Sequence, residues 1–266
     1  MKKIIGEKVK KDKIKEIIKV SKSLDSYEKK LDYLHNKFKD ETCYVLGCGP
    51  SLKDVDKDKL IDESKNNCLF TIKQSYFSFK DHVDFHFFNS NNYINYPNNT
   101  NAFFIGSSDF ASEGNIRSTI WKNQQVDICT SVVGNKPLGT RRYDKNFEGL
   151  GPHTFKNSAL RRHWGAGIMF ENVLFFAMHL GFNKIKTVGW DYIDVSNGQK
   201  ELVHFYKESE RQKLRNPADP PYEAEMKESI ELAGLFADFF KQHGIILECH
   251  ESGECFLPNN IVRYKL

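Results

Sequence analysis

Residues 43–52 read CYVLGCGPSL. The apolar run Cys43-Tyr44-Val45-Leu46 has the length and makeup of a buried strand. Gly47 and Gly49 then let the backbone turn sharply and let another group come close. Pro50 suits the first turn of a helix, where its missing N–H costs nothing. Ser51 can cap that helix or donate to an anion. A strand, a glycine turn and a helix start together form the arrangement by which α/β proteins hold phosphates on free main-chain N–H groups. The spacing matches neither the Walker GxxxxGK[ST] loop nor a complete GxGxxG, so a plain strand-to-helix turn stays open beside a phosphate turn.

Outward from this stretch, short apolar runs alternate with helical ones. CLFTI (68–72), the start of VDFHFFNSNNY (83–93), NAFFIG (101–106), VDICTS (126–131), KIKTVGWD (184–191) and GIILECH (244–250) read as strands. Residues 166–181 and 222–242 read as helices. The first of these is apolar almost all round and should be buried, with Gly181 closing it and with Glu171 and Asn172 needing partners. The alternation predicts an α/β fold: a Rossmann-like, mainly parallel sheet with helices on both faces, plus an N-terminal helical extension. Residues 132–163 and 194–221 lack a period and read as lid or substrate loops. The expected division is a basic helical extension over 1–40 and a nucleotide-binding catalytic domain over 41–266.

Composition narrows the class. Apolar residues make up 39% of the 266 and there are 21 Phe, enough for a large core. No run of 18 apolar residues occurs and the N-terminus lacks a signal-peptide core, so a cytoplasmic protein is expected. Six cysteines, at 43, 48, 68, 129, 249 and 255, show no CxxC spacing and read as buried thiols rather than a zinc site. The net charge is +4, but residues 1–40 carry 13 Lys against 7 acidic groups, which leaves the remainder at −2. That balance argues against a nucleic-acid groove across the body. The basic leader could touch the inner membrane face or a second copy of the chain; its stripe Leu24, Tyr27, Leu31, Leu34 and Phe38 steps by three and four.

Several side chains could carry chemistry. Asn89 ends the third strand, where an amide that both donates and accepts suits a base or ribose. Gly165 and Gly167 open the buried helix, directly after Arg161, Arg162 and His163, and make a second anion turn or a close helix–sheet contact. Asp191 and Tyr192 end the strand in VGWDY; a carboxylate there can bind a ribose, a metal ion or a reacting hydroxyl, or simply cap a turn. His204, in an irregular stretch, is a candidate acid or base because imidazole titrates near neutrality. His153, His163 and His250 rank below it. No DxD diad stands in a convincing context, which disfavours a metal-dependent sugar transferase.

In order, YVLGCGPSL, LFTIKQSYFSFKDHVDFHFFNSN, GAGIMFENVLFFAMHLGFNKIKTVGWDY, VHFY and GIILECHESGECFLPNNIVRY resemble one superfamily. It comprises the bacterial sialyltransferases that use CMP-sialic acid and the related 6-hydroxymethylpterin diphosphokinase-like proteins. The likeness covers about residues 42–266 and leaves the leader unmatched. It implies a nucleotide over Gly47, Gly49, Pro50 and Ser51, with Lys73, Gln74, Asn89, Gly165, Ala166 and Gly167 completing the pocket. It implies His204, Asp191 and Tyr192 as catalytic residues. Lys73 stands where both branches carry Asn, and Ala166 where the sialyltransferases carry Ser.

The implied function is a glycosyltransferase-like enzyme of surface-glycan assembly. It would take a CMP-activated acidic sugar, require no metal, and have the nucleotide-sugar donor and a glycan acceptor as partners. Two alternatives accompany it: a diphosphokinase using ATP and Mg²⁺, and a nucleotide-sugar binder with a degraded site, which Lys73 and Ala166 favour.

Overall fold

The computed structural model describes residues 2–89, 96–108, 125–131, 168–191, 205, 222–251 and 257–266. Helices α1 (Lys2–Ser23) and α2 (Tyr27–Leu34) come first, then β1 (Thr42–Leu46), a 3₁₀ turn (Pro50–Lys53), α3 (Lys57–Ser64), β2 (Cys68–Ile72), α4 (Ser75–Phe79) and β3 (Phe85–Asn89). After β4 (Phe103–Ser108) and β5 (Ile128–Ser131), a π-helical turn (Met169–Val173) leads into α5 (Leu174–Leu180). The chain closes with β6 (Lys184–Val188), α6 (Tyr222–Gln242), β7 (Ile246–His250) and β8 (Val262–Tyr264).

The eight strands among the described residues form one sheet in the order β5-β4-β3-β2-β1-β6-β7-β8, every neighbouring pair parallel. The expected Rossmann-like α/β architecture is therefore present, and the sheet is wholly parallel among the described residues. Strand alternation sorts the apolar side chains to two faces, as a parallel sheet buried on both sides requires. Cys43, Val45, Phe70, Phe87, Ile185 and Leu247 face α1, α2, α5 and α6. Tyr44, Leu46, Leu69, Phe88, Phe104 and Val188 face α3, α4 and the C-terminal Tyr264 and Leu266. Gly181 closes α5 in the left-handed region (φ 91°), its N–H going to the carbonyls of Ala177 and Met178.

The N-terminal helices are part of this packing. Ile14, Ile17, Ile18, Leu31, Leu34 and Phe38 are buried in the first core. Three lysines of α1 reach the amino ends of the strands. Lys10 pairs with Glu41 before β1 (3.3 Å), Lys11 with Asp84 before β3 (2.6 Å) and Lys22 with Asp127 before β5 (3.4 Å). Lys22 also donates to the Ala102 carbonyl (2.8 Å), and Lys30 to that of Asp127 (3.1 Å). Four of the leader's lysines are thus turned onto the amino ends of the chain's own strands. Among the described residues no helix is long and apolar enough to cross a membrane.

Candidate functional site

The strand order fixes where a ligand would bind. The chain leaves β1 through α3 toward β2 on one side and leaves β6 toward β7, through α6 on the opposite face. The carboxyl ends of β1 and β6 are therefore the point where the connections diverge, and open α/β sheets bind ligands in the crevice there.

Two turns meet at that point. Gly47 N–H donates to Val188 O (2.8 Å) and Gly49 N–H to Gly189 O (2.7 Å), so the β1–β6 ladder continues past both strands. A β-carbon on Gly47 would stand 2.3 Å from Gly189 O, and one on Gly49 2.6 Å from Asp191 Oδ2. Gly189 itself is left-handed (φ 69°). The glycines of GCG are required by this backbone contact, before any ligand is considered. Trp190 pins the second turn by burying its ring against Phe170, with centroids 5.7 Å apart.

Asp191 latches the two turns together. Its Oδ2 accepts from Ser51 N–H (2.7 Å) and its Oδ1 from the Ser51 hydroxyl (2.6 Å). The amide and hydroxyl expected to meet a phosphate are thus held by the chain's own carboxylate. The sequence shows both residues but not their meeting, because they stand 140 positions apart.

The end of β2 forms the adjoining wall. Cys48 lies between the glycines, and its thiol donates to Ile72 O (3.1 Å) and approaches Gln74 Oε1 (3.9 Å). Burial pushes this thiol up, against a smaller opposing effect of the Lys73 charge. Lys73 sits in the left-handed region (φ 51°), rare for a residue with a side chain, and donates its N–H to Phe87 O (2.8 Å). Gln74 is 2% exposed, and its Nε2 has no hydrogen-bond partner among the described residues. Buried amides are normally satisfied, and strain or an orphaned donor beside a crevice points to function. Phe205 N–H donates to Cys48 O (3.1 Å), which carries residue 205 to the same turn.

Of the expected site residues, Gly47, Gly49, Pro50, Ser51, Lys73, Gln74 and Asp191 converge here. Asn89 ends β3, paired with Ser107 and two strands from β1. Gly165, Ala166, Gly167, Tyr192 and His204 lie outside the described residues. Neither Gly189 nor His250 stands out in the sequence. The first is one glycine within VGWD; the second ends a strand that only its pairing places beside β6. Among the described residues no group of three or more His, Cys, Asp or Glu could hold a metal ion.

No model of a known protein family matches the chain, and no curated protein matches it.

Proposed function

We propose that the chain is a nucleotide-dependent transferase of surface-glycan assembly that takes a CMP-activated acidic sugar at the β1–β6 crevice. The observation that carries the nucleotide reading is the buried Nε2 of Gln74, unpartnered among the described residues, beside the turn where the sheet's connections diverge. A cytosine ring offers carbonyl and ring-nitrogen acceptors to such a donor. Lys73 supplies a cation for the phosphate. The cytidine and the acidic sugar come from the family resemblance, as do the roles of Tyr192 and His204. The Asp191 latch on Ser51 moves the phosphate away from that amide, toward the β2 wall. The donor carries its own phosphate leaving group, so the transfer needs charge stabilisation on that phosphate and a base for the acceptor hydroxyl.

Thermal unfolding with CMP, ATP plus Mg²⁺, and UDP tests this. CMP without metal at 100 times its dissociation constant should stabilise the fold by about 2.7 kcal/mol. Gln74→Met should abolish that response while leaving the ligand-free protein at least as stable, since it removes an orphaned buried donor. Stabilisation by ATP only with Mg²⁺ would transfer the site to the diphosphokinase reading, and silence toward all three would end the nucleotide reading.

A further inference from the structure

We propose that His250 is the general base of this crevice, the group that takes the proton from the acceptor hydroxyl; this rests on the transferase reading above. His250 is the last residue of β7, and the pairing of Thr187 with Cys249 sets it beside the end of β6, where Gly189 and Asp191 follow. It therefore stands on the carboxyl edge of the sheet, one strand from the point where the connections diverge.

His250 is only partly buried, where the core histidines His179 and His86 are both 0% exposed. His179 Nε2 lies 2.8 Å from Leu31 O and His86 Nδ1 lies 2.9 Å from Thr71 Oγ1, while the other nitrogen of each ring is buried with no partner among the described residues. His250 Nδ1 is likewise shut from solvent, with no partner among the described residues. The ring packs edge-on against Tyr264, with centroids 5.7 Å apart. The charged groups that act on it are Asp191 beyond β6, Glu63 on α3 and Glu251 next in sequence, which is itself paired with Lys265 at 3.3 Å. All three carboxylates favour the imidazolium, yet burial outweighs them and holds the ring below its ordinary value.

That combination is what a base needs. The ring is neutral at rest and can accept a proton, and carboxylates stand ready to stabilise the cation once it forms. With Nδ1 closed off, the exchanging nitrogen is Nε2. In the step, the acceptor O–H gives its proton to Nε2 while the oxygen bonds to the anomeric carbon of the donor. The carbon–oxygen bond to the phosphate breaks, and its electron pair leaves on CMP. The ring then returns its proton to solvent.

Two measurements decide it. The first is CMP release from CMP-N-acetylneuraminic acid, alongside CMP affinity, for wild type, His250→Gln and His204→Ala. His250→Gln should keep CMP affinity within about 3-fold, slow release by about 100-fold or more, and erase the fall in rate toward acid pH. Release within about 3-fold of wild type, or an acid limb erased by His204→Ala and kept in His250→Gln, would overturn the proposal while CMP binding left the transferase reading standing. The second is the imidazole titration of His250 by NMR, which needs no ligand. Asp191→Asn keeps both contacts to Ser51, since an amide can accept from the N–H and donate to the hydroxyl, but removes the charge. The titration of His250 should lie below the ordinary imidazole range and fall further in that variant. An ordinary midpoint unmoved by Asp191→Asn would refute the pairing even in a protein that ignores CMP.

Discussion

A β-carbon on Gly47 would meet Gly189 O at 2.3 Å, a main-chain atom fixed by the β6 ladder. Nothing there can step aside as a flexible side chain could. Gly47→Ala should therefore cost about 1–3 kcal/mol through overpacking alone. Gly244 offers the matching control: its φ is 72°, but nothing lies within 4 Å of an added β-carbon, so Gly244→Ala should cost only the left-handed penalty of about 1 kcal/mol. Urea unfolding of both variants measures the difference, and a Gly47→Ala protein as stable as wild type would mean that the two turns are not in contact. At this scale the sequence was half legible. GCG announces a tight turn wherever it falls, but it cannot say whether the missing side chains make room for a ligand or for another strand's carbonyl. Here the second reason suffices.

Helix α1 carries nine lysines. Its lysines were plain in the sequence as surplus charge; their partners were not, because Glu41, Asp84 and Asp127 precede three different strands. Asp84 is 2% exposed and accepts from both Lys11 Nζ (2.6 Å) and Leu69 N–H (2.8 Å). Burial still raises the Asp84 carboxyl above the usual carboxylate range, so the desolvation cost exceeds what Lys11 returns. Removing the cation alone should be worse than removing both charges. Lys11→Met is expected to cost about 3 kcal/mol, the low end for a broken buried pair because Lys11 keeps some water, and adding Asp84→Asn should recover part of it. A double-mutant cycle with no coupling would detach α1 from the sheet edge. Strands β1 to β7 were visible as apolar runs, since burial on both faces leaves little room for polar residues. Strand β8, three residues in NNIVRYKL, was too short to show a period.

For the whole molecule, His86 sets a limit on acid stability. It lies in β3 at 0% exposure, among Tyr76, Phe88, Tyr96 and Phe104, and burial lowers its pKa from 6.5 to about 3. The unfolded chain binds a proton below about 6.5 while the folded chain refuses one until about 3. The contribution is therefore fully present above 6.5 and is lost progressively as pH falls between those values, at about 1.4 kcal/mol per unit. Urea midpoints should hold level from pH 8 to 6.5 and then drop, and His86→Phe should flatten the drop. An unchanged acid slope in that variant would place the lability elsewhere.

The class of fold, seven of the eight described strands, the buried helix ending at Gly181 and the glycine turn after β1 follow from the order of amino acids alone. Each is a local consequence of apolar period or backbone freedom. The strand order, and with it the crevice between β1 and β6, emerged only when the chain had packed. Packing also decided the Asp191 latch on Ser51, the α1 lysine pairs and the placing of His250 at the carboxyl edge. These are meetings of residues far apart in the chain, chosen by register and crossover direction, and no stretch of sequence holds both halves of such a contact.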